Sequence, residues 1–294
     1  MSEGRIPYAG GETWYRIVGD GEGPGRLPLL CLHGGPGSPH DYLEPLEQLA
    51  GTGRRVVFYD QLGCGRSWLE ADPSKWTVEL FVQEVGAVRE ALGLERVHLF
   101  GSSWGGMLAM EYALTQPPGL ASLVLSSSPA SIPLWIEETA RLRRELPADV
   151  QRVLDEHEAA GTLDSPEYEA ASMVFYRRHV CRVDPWPDAV LRTFRGMVDH
   201  PDVYETMQGP NEFVITGTLR DWDITDRLGE LDVPTLITAG RHDESTPRQV
   251  DALRRGIRGS ELVVFEQSSH MQYHEEPERF LAVVSDFLER VEQE

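Results

Sequence analysis

Lysine is almost missing from this 294-residue chain: Lys75 is the only one, and arginine supplies every other fixed positive side chain. Schiff-base chemistry, which needs a lysine amine, is left with one position in a polar stretch. Cysteine is sparse too. Cys31, Cys64 and Cys181 are odd in number and far apart, which argues against a disulfide framework or a thiolate-built zinc cluster. Cys31, inside an apolar run, reads as core packing. Positive charge as a whole is outnumbered, with 27 Lys plus Arg against 48 Asp plus Glu and a net charge of −21. A surface this acidic repels phosphates and anionic headgroups, so neither nucleic acid nor membrane is an expected partner, while a cationic substrate is drawn in. No stretch approaches the roughly 20 apolar residues of a membrane span. The first residues, Met1 to Pro7, carry no basic-then-apolar leader pattern, so the expected location is the cytoplasm. With 40 % hydrophobic residues the chain can bury the core of one large domain, or of a domain with an insertion.

What is present begins with Val97-His98-Leu99-Phe100-Gly101-Ser102-Ser103-Trp104-Gly105-Gly106, an apolar strand that runs into Gly-x-Ser-x-Gly and then a helix. This is the pattern of a nucleophile elbow with Ser103 at its apex. A strand that reverses sharply into a helix needs residues without a Cβ beside the bend, and only Ser103 has a glycine on both sides at the required offset. Ser102 does not. The motif alone is shared with ordinary turns, so its surroundings decide.

Upstream, Leu27-Pro28-Leu29-Leu30-Cys31-Leu32 feeds His33-Gly34-Gly35-Pro36-Gly37. An apolar strand opening into a glycine-rich loop can supply half of an oxyanion hole, here the backbone N–H of Gly35 paired with that of Trp104. The loop lacks the Lys-Ser/Thr ending of a P-loop and the spacing of a dinucleotide fingerprint. Downstream, two strand-like runs end in an acid and a histidine, in the expected chain order. Val233 to Gly240 leads into Asp243, and Glu261 to Phe265 leads to His270. Asp243 is assigned to orient the imidazole, His270 to take the Ser103 proton and return it to the leaving group. His242 precedes the acid and His274 lies four residues beyond His270, in the approach to the closing helix, so both read as ordinary histidines. A His270/His274 metal pair lacks the His-Glu-x-x-His arrangement, and no metal is expected.

Apolar runs at 27–32, 54–60, 96–100, 120–126, 233–239 and 261–266 alternate with helix-like segments, the pattern of a mostly parallel α/β sheet covered on both faces. Phe81, Val85, Val88 and Leu92 recur at helical spacing with Thr77 as N-cap. Pro277 through Val291 reads as a closing helix. Residues 132–226 lack strand signals, which predicts a helical cap inserted between a core of 1–131 and its continuation in 227–294; specificity is expected in that cap.

Together these segments resemble the proline iminopeptidase-like serine peptidases of the α/β-hydrolase fold, in particular the tricorn-interacting aminopeptidase branch. The likeness spans nearly the whole chain. It includes the loop His33 to Gly37, the stretch Tyr59-Asp60-Gln61-Leu62-Gly63-Cys64-Gly65-Arg66-Ser67, the elbow, and Gly209-Pro210-Asn211-Glu212-Phe213 with Thr216-Gly217-Thr218. The second and fourth are more specific than the elbow, which unrelated lipases and esterases share. The resemblance implies a cofactor-independent aminopeptidase acting through an acyl-enzyme. It would release an N-terminal proline or another small or apolar residue from short peptides or amino-acid amides. It also implies that Glu212 and Glu244 hold the substrate's free α-amine, since an ammonium taken out of water needs paired anions. Trp135, Phe175, Tyr176 and Phe213 are candidates to line the pocket for the first side chain. Two alternatives stay open: an esterase, amidase or carbon–carbon hydrolase that ignores the amine, and a non-catalytic ligand-binding protein on the same fold. Dehalogenase and epoxide hydrolase chemistry would place an aspartate where Ser103 stands.

Overall fold

Eight strands form one sheet in the order β1-β2-β4-β3-β5-β6-β7-β8; the computed structural model describes residues 1–69 and 72–293. The strands are β1 (Ser2–Tyr8), β2 (Gly11–Val18), β3 (Leu29–Leu32), β4 (Val56–Tyr59), β5 (Val97–Ser102), β6 (Leu120–Ser126), β7 (Thr235–Gly240) and β8 (Glu261–Phe265). From β4 to β8 every neighbouring pair is parallel, while β1 and β2 form an antiparallel hairpin that docks antiparallel on β4. The six runs read as strands are all strands, with ends that differ by no more than two residues. The hairpin was not anticipated. Its turn at Ala9-Gly10, both residues at positive φ, is the local signal that marks it.

Why the central runs are continuously apolar follows from where their side chains go. On β3, β4 and β5, Leu30, Leu32, Val57, Tyr59 and Leu99 enter one buried cluster. Their alternates Leu29, Cys31, Val56, Phe58 and Phe100 enter another on the opposite face. Successive residues of a strand point to opposite faces, so a sheet covered on both sides needs apolar residues at every position. The helices that cover the first face are α1 (Val78–Ala91) and α2 (Trp104–Leu114). In α1, Phe81, Val85 and Val88 are fully buried, and Thr77 Oγ1 caps the helix by accepting from Leu80 N–H at 3.2 Å, as its spacing predicted. Cys31 is core packing.

Between β6 and β7 the described residues form α3 (Ile132–Arg143), α4 (Ala148–Ala160), α5 (Pro166–His179), α6 (Asp188–Asp199) and α7 (Asp202–Met207), with no strand among them. This segment has its own apolar cluster, in which Leu142, Leu154, Tyr168 and Phe175 are buried with Phe213. After β7 come α8 (Pro247–Gly256), α9 (Gln272–Glu275) and α10 (Pro277–Gln293). Phe280, Val284, Phe287 and Leu288 of α10 fill the second face, which is the closing helix predicted from Pro277 onward. Among the described residues no helix is long and apolar enough to cross a membrane.

Candidate active site

Parallel strands end at one edge of a sheet, so residues that follow different strands meet there although the sequence keeps them far apart. At that edge Gly34 and Gly35 follow β3, Gln61 follows β4, Ser103 follows β5, Ser127 follows β6, Asp243 follows β7 and His270 follows β8. The elbow has the backbone its sequence demands. Ser103 sits at φ 56°, ψ −122°, a conformation that costs of order 1–3 kcal/mol and persists only where the surroundings impose it. The flanking glycines are steric necessities: a Cβ on Gly101 would run into the backbone of Gly105, and one on Gly105 into the carbonyl of Leu32. Ser102, the poorer candidate, is fully buried with its hydroxyl 3.2 Å from that of Tyr273.

His270 and Asp243 are paired at 2.8 Å, the imidazole Nδ1–H donating to Oδ1. The carboxylate is surrounded by donors. Ser245 N–H reaches Oδ1 at 2.8 Å, while Ser127 Oγ–H reaches Oδ2 at 2.6 Å and Gly240 N–H reaches it at 3.3 Å. Gln272 completes the frame by donating to Ser127 Oγ at 2.6 Å and to the His270 carbonyl at 3.1 Å. Sequence reasoning missed both Ser127 and Gln272. Their only local signals are a serine run at the end of β6 and a glutamine two residues after the histidine. Burial, the largest influence on His270, lowers its proton affinity, but Asp243 and then Glu212 outweigh it, and the imidazole titrates above its ordinary value.

The histidines set aside in the sequence lie elsewhere. His274 Nε2 donates to the carbonyl of Tyr42 at 2.7 Å, and the backbone carbonyl of His242 accepts from His179 Nδ1 at 2.8 Å.

A chamber of about 380 Å³ opens beside Ser103 and His270, and Glu212 and Glu244 line it as well. Its walls include Tyr176, Phe194, Met197, Val198 and Pro210, and among the described residues no lysine or arginine. Val198 is 78 % exposed, so the chamber reaches the protein surface. Ser103 and Glu212 also line a niche of only about 10 Å³, together with Trp104, Met107, Trp135 and Leu219. Of the aromatic candidates, Tyr176 faces the chamber and Trp135 the niche. Phe175 and Phe213 pack against each other at 5.1 Å between centroids and belong to the interior.

Glu212 is projected by a turn in which Asn211 Oδ1 accepts from Phe213 and Val214 N–H, at 3.1 and 2.8 Å. Trp135 Nε1 donates to the Glu212 carbonyl at 2.8 Å, and Tyr204 donates to Oε1 at 2.7 Å. Glu244 is fully buried, and its Oε2 has no hydrogen-bond partner among the described residues. Burial pushes both carboxyls up, and for Glu244 the neighbouring Glu212 and Asp243 charges add to the effect. Glu244 Oε1 lies 3.6 Å from His270 Nδ1, which is already committed to Asp243; two desolvated carboxylates with no other basic group beside them among the described residues are an electrostatic cost unless a cation joins them.

The Gly35 backbone lies at φ 107°, a region that favours glycine, and Gly35 lines both the chamber and the niche. Its neighbour Gly34 is already committed, donating to Tyr42 Oη at 2.6 Å. Trp104 is the first residue of α2, so its N–H has no acceptor within the helix. Gly35 and Trp104 thus line the same niche as Ser103.

The sequence profile of a family described as the alpha/beta hydrolase fold matches residues 28–277. A proline iminopeptidase of Saccharolobus solfataricus is 41 % identical over 278 residues, 94 % of this chain and 88 % of that protein. Among solved structures, VinJ is 46 % identical with a TM-score of 0.96, and a proline iminopeptidase of Mycobacterium smegmatis is 46 % identical with a TM-score of 0.93; each comparison covers 99 % of both chains.

Proposed function

Since this chain belongs to the proline iminopeptidase-like serine aminopeptidases of the α/β-hydrolase fold, we propose that Ser103, His270 and Asp243 are its catalytic triad and that Glu212 and Glu244 bind the substrate's α-ammonium. The observation that carries the amine site is the unpartnered carboxylate oxygen of Glu244 in a chamber that Ser103 also lines. An ammonium there neutralises the buried pair, and charge-assisted hydrogen bonds fix its orientation. With the amine held, only the first carbonyl of a chain can reach Ser103, which makes the enzyme an exopeptidase.

Ser103 attacks that carbonyl while His270 accepts its proton. The oxyanion is met by the N–H groups of Gly35 and Trp104, and water then hydrolyses the acyl-enzyme. With room for about one water, the niche leaves no space for a bulky group, so a compact apolar first side chain is expected beside Ser103. The rest of the substrate, of no fixed length, needs the chamber that opens to solvent. Residues 132–226 act as the cap that supplies Glu212, Trp135 and most of the chamber wall.

The test is a pair of substrates, an amino-acid p-nitroanilide with a free amine and its N-acetyl counterpart. Removing one partner of a buried charge pair costs about 2–5 kcal/mol, so acetylation is expected to lower kcat/KM by about two to three orders of magnitude. Glu244→Gln should lower turnover of the free amine in the same range and leave the acetylated substrate unaffected. Turnover of both substrates within tenfold of each other would remove the amine site and leave an esterase or amidase.

The pH profile follows from the directions of the shifts. As pH falls through the range of Glu212, above the ~4.3 of an ordinary glutamate, and of Glu244, well above it, the pair gains protons and loses its hold on the ammonium, so KM rises. His270 must be neutral to act as base, so kcat rises with pH through a value above 6.5. Separate kcat and KM titrations check both; a KM flat down to the ordinary carboxylate range would contradict the amine site.

A further inference from the structure

The stretch Tyr59–Ser67 carries no part of the chemistry above, yet Gln61 within it touches both sides of the oxyanion hole. Gln61 is 1 % exposed and uses every polar group it can spare. Its backbone N–H donates to His33 Nε2 at 2.8 Å, and its side-chain Nε2 donates to the His33 carbonyl at 2.9 Å. Its Oε1 accepts from the indole Nε1–H of Trp104 at 2.9 Å. An indole N–H can only donate and a carbonyl can only accept, so the amide has one orientation. Burial holds His33 neutral, its proton affinity lowered to about 4, so its Nε2 is free to accept.

The residues on either side of Gln61 are fixed as well. Leu62 N–H donates to both oxygens of the buried Glu84, at 2.9 and 3.2 Å. Asp60 accepts from His40 N–H at 2.9 Å, from His40 Nδ1 at 2.7 Å and from Arg66 N–H at 2.8 Å. Gln61 is therefore a strut with an anchored base. One end of its amide holds the loop that carries Gly35, two residues beyond His33. The other end holds the side chain of Trp104, whose own N–H is the second donor. An oxyanion hole stabilises charge only when both donors are held at the oxyanion's position beforehand.

We propose that Gln61 is a positioning residue that keeps the Gly35 and Trp104 N–H groups in register with each other; the inference rests on the reading of those two groups as the oxyanion hole. Removing a direct oxyanion donor costs about 10²- to 10³-fold in kcat, and loosening both donors is expected to cost about 10- to 100-fold. Gln61→Met keeps the length and removes both side-chain bonds. It should lower kcat by that factor with KM and the affinity for the released amino acid unchanged within about threefold. The affinity for a boronic acid analogue of the first residue, which forms a tetrahedral adduct, should fall by the same factor as kcat/KM. Gln61→Glu, which keeps the acceptor for Trp104 but cannot donate to His33, should fall between the two.

A purely structural role would instead move the thermal midpoint and all affinities together, and that outcome overturns the proposal. So does Gln61→Met with kcat/KM within threefold of the unmodified protein. Should Gln61→Met fail to fold, Gln61→Glu alone is read by the same kcat-against-KM split. A boronic acid that does not bind the unmodified protein overturns the oxyanion reading itself, and the role of Gln61 with it; one that binds protein and variant equally overturns only the latter.

Discussion

Ser103→Ala is expected to lower kcat for an amino-acid anilide by about three to six orders of magnitude. The variant loses the only hydroxyl at the apex of the elbow. Ser102 cannot replace it, because its hydroxyl is buried against Tyr273. The loss should fall on kcat. Glu212, Glu244 and the chamber walls are untouched, so KM and the affinity for the released amino acid should stay near their original values. Folding should not suffer, since alanine keeps the Cβ and removes one oxygen at a chamber wall. The strained φ of 56° tolerates alanine no worse than serine. Steady-state kinetics, together with labelling of the unmodified protein by an organophosphonate, provides the check. Near-normal turnover by the variant would end the Ser103 mechanism; an unmodified protein that neither takes the label nor turns over would be a binder on this fold.

Asp243→Asn is expected to lower kcat by about four orders of magnitude, as loss of the charge behind a catalytic imidazole does elsewhere. The five donors around Asp243, Gln272 Nε2 at 3.4 Å from Oδ2 among them, all require an acceptor. Whichever way the amide turns, its NH₂ faces a donor. If the NH₂ takes the place of Oδ1, it donates to His270 Nδ1 and leaves the ring proton on Nε2, with no base for Ser103. If it takes the place of Oδ2, the tautomer survives, but the imidazolium that forms during attack has no anion beside it. In both cases burial of His270 is opposed by less charge, so its proton affinity falls from above the ordinary value toward below it. The residual kcat should then reach its plateau at lower pH than in the unmodified enzyme, which a pH–rate profile and an imidazole NMR titration would show. A variant within tenfold of full activity would exclude Asp243 as the third member.

Elements whose determinants are local were legible before any coordinates. The elbow is readable because a strand-to-helix reversal leaves no room for a Cβ at Gly101 or Gly105, and this constraint is written in adjacent letters. The same holds for the α1 stripe with its Thr77 cap and for the apolar strand runs. The N-terminal hairpin was not read, because Glu3, Arg5 and Glu12 break up the apolar pattern on its exposed positions and leave only the Ala9-Gly10 turn as a sign. Glu212 and Glu244 came from the resemblance alone. Nothing in their spacing shows that two carboxylates 32 positions apart share one chamber.

The sequence by itself determined the alternation of strands and helices, the serine that must stand at a glycine-flanked bend, and the order of acid and histidine behind it. Each of these depends on contacts within a few residues, which the chain encodes as periodicity and steric exception. Only the tertiary structure decided what surrounds them: Ser127 and Gln272 around Asp243, Gln61 between His33 and Trp104, and a carboxylate oxygen of Glu244 left without a partner. Those relations come from parallel strands ending at one edge of the sheet. Loops distant in the chain meet there, and dehydration turns ordinary side chains into a site that favours a cation.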